Sequence, residues 1–202
     1  MWFRSTRRLT NTVNVASSRG YRKIESAARA FNFDFRGKTV LDIGSSTGGF
    51  TKFALDRGAA KVIAVEKGTN QMVAPLRFDP RVDLHEKTDI MTVGPQKDFI
   101  CTPDVILADV SFTSLTKVLN YAKLNLSRHT TQFLVMLKPQ FEARPADLVS
   151  GIVKNEHTRR AIIKDFEYWL KQNGFLIIKK RDNDLAGKHG NTERFYWLAL
   201  AK

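Results

Sequence analysis

The stretch LDIGSSTGGFTKFAL, residues 41–55, constrains the fold of this chain more than any other. An apolar run ends at Ile43, small residues occupy Gly44 to Gly49, and a helix-forming segment follows. Small residues at that place let the backbone turn tightly and approach a bound molecule closely. The unit is a strand, a loop and a helix, and the rest of the chain repeats its rhythm.

Strand-like runs are predicted at 39–43, 61–66, 82–86, 104–110, 132–138, 175–180 and 194–201. Helical segments are predicted at 49–57, 69–76, 115–126 and 157–173, the first and last closing on Gly58 and Gly174 where helix ends favour glycine. A further helix is predicted over 18–33, where Ile24, Ala27, Ala28 and Phe31 follow the i, i+3, i+4, i+7 pattern. Seven strands separated by helices imply a mostly parallel sheet with helices on both faces. Ligands of such sheets sit beyond the carboxyl ends of the strands. The residues to watch are therefore Gly44, Glu66, Asp109 and Lys138.

The loop does not match the phosphate-binding patterns. A dinucleotide loop needs a glycine where Ser46 stands, and a nucleoside-triphosphate loop needs a lysine where Phe50 stands. Glu66, 22 residues after Gly44, is placed to accept hydrogen bonds from both ribose hydroxyls of an adenosine. An adenosine-bearing cofactor without a pyrophosphate fits best, and S-adenosylmethionine is one. Its cationic sulfonium and amino groups favour nearby carboxylates, with Asp42 and Asp109 as candidates. Asp89 is a candidate for the adenine amino group. A tight turn with no ligand is the alternative. Lys138 and Asp109 both follow apolar runs, so each is expected at the edge of a cleft, and a surface salt bridge is the alternative for either.

The net charge of +13 points to a phosphate-rich partner. Residues 1–24 hold Arg4, Arg7, Arg8, Arg19, Arg22 and Lys23 with no acid, and the remainder still carries +7. Residues 1–17 read as a flexible basic arm preceding a domain over 18–202. An organellar transit peptide has the same composition and stays open; otherwise a cytoplasmic protein is expected. The single cysteine, Cys101, excludes an internal disulfide. His85, His129, His157 and His189 show no ligand spacing, so no metal is expected. No apolar run is long enough to span a membrane, and no membrane role is expected. Tyr21 and Phe112 are expected in loops near the site, where either could stack on a base. Trp169 and the run Phe195–Trp197 are expected in the core.

The stretches SSRGYRKIESA (17–27), VLDIGSSTGGFT (40–51), RGAAKVIAVEKG (57–68), DVSFTSL (109–115), LKPQFEA (137–143), SGIVKN (150–155) and GKHGNTERFYWL (187–198) together resemble the TlyA-type, hemolysin A-like branch of the FtsJ-like ribose methyltransferases. The resemblance covers residues 17 to the C-terminus. It implies a Rossmann-like class I methyltransferase fold and a Lys-Asp-Lys-Glu tetrad that methylates a ribose 2′-hydroxyl of RNA, most naturally a ribosomal RNA cytidine. The tetrad falls on Lys23, Asp109, Lys138 and Glu193. Donor-binding positions fall on Gly44, Ser46, Gly48, Gly49, Glu66 and Asp89, with Asp109 close by. Asp42, Ser45, Thr47, Phe50 and Lys67 are counted with them as flanking contacts for S-adenosylmethionine.

A ribose hydroxyl is a poor nucleophile, so an enzyme must align it with the methyl donor and help its proton leave. Lys138 is assigned that role, as base or as a charge facing the developing alkoxide. Asp109 is expected to orient Lys138, while Lys23 and Glu193 steer the hydroxyl and tune the lysines. Members of the family generally carry an N-terminal RNA-binding domain, and here about 17 residues precede the catalytic domain. RNA docking is therefore expected through the basic arm, with Arg4, Arg7, Arg8, Arg19 and Arg22 on phosphates, through the catalytic face, or through a partner. Free ribosomal RNA and the ribosomal subunit both stand as substrates, and the oligomeric state is undetermined. Another RNA, such as transfer RNA, and a non-catalytic assembly role are the alternatives.

Overall fold

The computed structural model describes residues 15, 18–94, 102–185, 187 and 190–201. Helix α1 (Arg19–Phe31) precedes β1 (Thr39–Ile43), α2 (Gly49–Asp56), β2 (Lys61–Val65), the single turn α3 (Ala74–Arg77) and β3 (Val82–His85). After them come β4 (Val105–Ala108), α4 (Leu115–Asn125), β5 (Gln132–Leu137), α5 (Glu156–Gln172), β6 (Phe175–Asp182) and β7 (Arg194–Leu200). The seven strands form one sheet in the order β3-β2-β1-β4-β5-β7-β6. Strands β1 to β5 pair in parallel; β7 is antiparallel to both its neighbours, β5 and β6.

Alternation along the strands divides the core between the two faces. Leu41 and Ile43 of β1 pack with α4 and α5 through residues such as Leu119 and Phe166. Val40, one residue out of phase, packs with α1 and α2 through Ile24, Phe31 and Phe53. The expected layers are therefore present, with α1, α2 and α3 on one face and α4 and α5 on the other. Phe195 and Tyr196 are buried core residues, and Trp169 and Trp197 pack against the core from its margin.

Local chemistry sets the ends of the elements. The Ser18 hydroxyl accepts the Tyr21 N–H at 3.2 Å and starts α1, and Asn32 ends it in the left-handed region at φ 55°. The Asn155 side chain caps α5 by accepting from His157 and Thr158. The helix expected over 69–76 shrinks to Ala74–Arg77. The Glu86 carboxylate takes the backbone N–H groups of Asn70 and Gln71, each at 2.9 Å, and Asn70 sits at φ 54°, which no helix tolerates. Val15, within the stretch read as an arm, is buried beside α1 and α2. Arg4, Arg7, Arg8, Cys101 and His189 lie outside the described residues.

Candidate functional site

A cavity of about 590 Å³ opens beyond the carboxyl ends of β1, β2 and β4. Gly44 and Ser46 line it from the first loop, Glu66 and Lys67 from the end of β2, Asp89 and Ile90 from the segment after β3, and Asp109 to Thr113 from the loop after β4. Gly44 (φ +81°) is the close approach that demands glycine: a Cβ there would stand 2.9 Å from the Asp109 carbonyl oxygen. The Glu66 carboxylate is held in place, accepting the Ser46 N–H at 2.9 Å and the Gly68 N–H at 2.7 Å. Asp89 accepts from the Met91 N–H at 3.0 Å and pairs with Lys67 at 3.0 Å. The Met91 backbone bond first, and then Lys67, hold its carboxyl below the ordinary aspartate range.

Only part of the glycine loop faces this cavity. Ser46 takes a left-handed turn (φ 47°), after which the chain enters α2. Ser45 is buried, and Thr47 is exposed. Gly48 and Gly49 serve packing instead: a Cβ on Gly48 would meet Leu76 at 2.5 Å, and one on Gly49 would meet the Tyr21 backbone nitrogen at 2.8 Å. Phe50 is buried with its ring stacked on Phe195. Of the loop positions expected at the cofactor, Ser45, Thr47, Gly48, Gly49 and Phe50 therefore do not line this cavity; they shape and seat the loop around Gly44 and Ser46, which do.

Asp42 does not line the cavity either. It is 0% exposed, beneath α2, where its carboxylate accepts the Thr51 hydroxyl at 2.6 Å. Burial pushes its pKa up to about 7, opposed by the Thr51 hydrogen bond and reinforced by the charge of Asp109.

The four tetrad positions come together as two lysine–acid pairs at one edge of the sheet. Leu137, the last residue of β5, pairs with Arg194, the first of β7, so Lys138 and Glu193 lie opposite each other just past the ladder. Lys138 Nζ lies 2.6 Å from Asp109 Oδ1 as an ion pair without hydrogen-bond alignment, and donates to Ser111 Oγ at 2.9 Å. From α1, Lys23 Nζ reaches Glu193 Oε2 at 2.5 Å. The pairs differ in access. The Lys138 and Asp109 side chains are 11% and 20% exposed, and Asp109 and Ser111 line the cavity. Lys23 and Glu193 are sealed at 6% and 3%.

The aromatic expectations split. Phe112 stands on the cavity rim, 93% exposed at φ 61°, with its ring 5.3 Å from that of Phe141. Tyr21 is not in a loop; it lies in α1, packs edge-on against Phe53 and donates to Asp56 at 3.1 Å. Sequence reasoning missed Ser111 and Glu142. Glu142 accepts from Ser114 Oγ at 2.7 Å and from the Leu115 N–H at 2.6 Å, bracing the loop after β4 against the loop after β5. Their positions just past β4 and β5 are the signal that could have found them. Among the described residues no group of three or more metal-ligating side chains gathers, and no helix is long and apolar enough to cross a membrane.

The FtsJ-like methyltransferase family model matches residues 16–200. The chain is 34% identical over 191 residues to the 16S/23S rRNA (cytidine-2′-O)-methyltransferase TlyA of Mycobacterium tuberculosis, covering 94% of this chain and 70% of that one. It is 35% identical to hemolysin A of Brachyspira hyodysenteriae, over 87% of this chain and 73% of that one. A solved structure from Streptococcus thermophilus that carries a hemolysin name superposes with a TM-score of 0.88 at 33% identity, covering 92% of this chain and 67% of that one. Aeropyrum pernix fibrillarin, solved with S-adenosyl-L-methionine, shares the fold at a TM-score of 0.61 and 18% identity, over 88% and 75% of the two chains.

Proposed function

The chain belongs to the FtsJ-like methyltransferase family, and from that premise we propose that it moves a methyl group from S-adenosylmethionine to a ribose 2′-hydroxyl of RNA, with ribosomal RNA as the substrate. The observation that carries this reading is the Asp109–Lys138 ion pair, whose Asp109 stands in the cavity wall. The cavity suits the cofactor. Its volume lies within the usual range of ligand sites. The Glu66 carboxylate is fixed for a ribose diol, Asp89 stands near an adenine site, and Asp109 offers a negative charge for a sulfonium. When bound, the cofactor supplies an activated methyl group on a cationic sulfur.

What the chain itself contributes is alignment and charge. Ser111 and Asp109 hold the Lys138 ammonium at the rim, where it stabilises negative charge growing on the acceptor oxygen. Lys23 and Glu193 act from behind the surface as positioning residues: they anchor α1 to the start of β7 and fix the field around Lys138. Phe112 offers an exposed ring on which the acceptor base stacks. Arg19 and Arg22, exposed on α1, contact phosphates. A domain over 18–202 performs the chemistry, and a ribosomal RNA substrate is in keeping with a cytoplasmic protein.

The test uses methyl-tritiated S-adenosylmethionine, unmodified ribosomal subunits and free ribosomal RNA, with Lys138→Ala in parallel and digestion to nucleosides. Label in a 2′-O-methylnucleoside that is lost in Lys138→Ala is expected. Label on a base refutes the ribose assignment.

A further inference from the structure

Helix α1 carries charge in an order that folding alone disfavours. Its inner face holds Lys23, Ile24, Ala27, Ala28 and Phe31. On its outer side Arg19, Arg22, Ser26 and Arg29 follow at spacings of three, four and three, which makes one stripe. The first turn contains no acid, and arginines stand where the helix dipole favours anions. Among the described residues neither Arg19 nor Arg22 has an ion-pair partner. Arg29 pairs with Glu25 at 2.9 Å and keeps a side chain 67% exposed.

Beside this stripe runs a groove of about 610 Å³ between α1 and the end of β6, with Arg22 and Arg29 on one side and Arg181 on the other. Arg181 pairs with Asp184 at 2.5 Å, and the Ser26 hydroxyl also donates to Asp184, tying the helix to the loop after β6. Two links join the groove to the tetrad. Arg22 precedes Lys23 in α1, and the Asn183 N–H donates to the Glu193 carbonyl at 2.8 Å.

We propose that Arg19, Arg22, Arg29 and Arg181 form a track for the phosphate backbone of the RNA strand that bears the acceptor ribose, an inference that rests on the RNA reading above. Guanidinium forks match phosphate oxygens, and Arg29 and Arg181 each have donors beyond those used on their carboxylates. From Arg19 to Arg29 the helix rises about 15 Å, the length of about four stacked nucleotides. A membrane surface would call for apolar anchors among the charges, and this stripe has none.

The experiment measures anisotropy of a fluorescent 12-nucleotide single-stranded RNA of mixed sequence against salt, for the full chain and for Arg29→Gln/Arg181→Gln. Each lost phosphate contact lowers the slope of log K against log salt by about 0.7. The double variant is therefore expected to lose about 1.4 in slope and about 25-fold in affinity at 0.1 M salt. Lys164→Gln/Lys171→Gln, exposed on α5 on the opposite face, serves as the control and is expected to keep the slope to within about one contact. Glu25→Gln, which removes a negative neighbour of the track, is expected to tighten binding. Calorimetric S-adenosylmethionine affinity and thermal melting report folding in every variant. A salt-dependent wild type with an unchanged slope in Arg29→Gln/Arg181→Gln overturns the track alone, as does an equal loss in the α5 control. A wild type with no salt-dependent RNA affinity overturns the RNA reading itself.

Discussion

The sealed Lys23–Glu193 pair makes a quantitative prediction that separates folding from chemistry. Lys23→Met removes the ammonium and leaves the Glu193 carboxylate 3% exposed with its 2.5 Å partner gone. Breaking a buried pair from one side costs about 3–5 kcal/mol, because an uncompensated charge stays behind. For a chain of this size that lowers the melting temperature by about 10 °C. Lys23→Met/Glu193→Leu removes both charges at similar volume, and such exchanges are neutral or stabilising. The double variant is thus expected to melt near the wild type, with a coupling energy of several kcal/mol across the cycle. Urea and thermal unfolding of the four proteins give the cycle, and single-turnover methyl transfer on the stable double variant reads the chemistry. The double variant is expected to fold and bind S-adenosylmethionine but to transfer methyl slowly. Loss of less than about 1 kcal/mol in Lys23→Met, or a double variant as unstable as the two singles combined, refutes the assignment of a sealed, mutually compensating pair.

Two further predictions follow from the site. Asp42, raised to about 7 by burial, keeps its proton in the folded state over a range where the unfolded chain has lost it, so stability declines as pH rises from about 4 to about 7 and levels off above. Asp42→Asn is expected to flatten that decline and to gain up to about 4 kcal/mol at pH 8 relative to pH 4, as read by urea unfolding at several pH values; a wild-type curve already flat over that range sinks the reasoning. Ser111→Ala removes the hydroxyl that holds Lys138 at 2.9 Å and is expected to lower kcat about tenfold with the cofactor KM unchanged, with Ser111→Thr restoring it. An unchanged kcat, or failure of threonine to rescue it, removes Ser111 from the site.

Much of the fold is legible in the residues because period and turn chemistry agree. The runs at 39–43 and 132–138 become β1 and β5 to within a residue, and the acids and the lysine just past the strands all arrive at one edge. What misleads is chemistry that acts at a distance in the chain. Glu86, 16 residues away, captures the Asn70 N–H and dissolves a helix whose local pattern was acceptable. The placement of β7 between β5 and β6 rests on long-range pairing; its local trace in the sequence is the absence of a helical pattern between the runs at 175–180 and 194–201. Glycines in a loop announce close approach without saying to what. Gly44 approaches the cavity wall at Asp109, while Gly49 approaches the backbone of α1. Lys23 resembles any helical lysine until its spacing is noted: positions 23, 27 and 31 share a face, and the lysine lies on the buried one.

That burial gives α1 three connections at once. Its inner face holds Lys23 against Glu193, its start lies so close to Gly49 that no side chain fits between, and its outer side bears the arginine stripe. The proposed cofactor loop, tetrad and RNA track are therefore all referenced to one helix. A methyl transfer that depends on in-line alignment loses rate steeply with displacement of about 1 Å. On this arrangement a phosphate seated on Arg22 and a cofactor seated on Gly44 are registered through the same helix rather than through mobile loops. Variants that shift α1 without touching either ligand should then depress kcat while both binding affinities survive, a pattern that independent loop-borne sites would not produce.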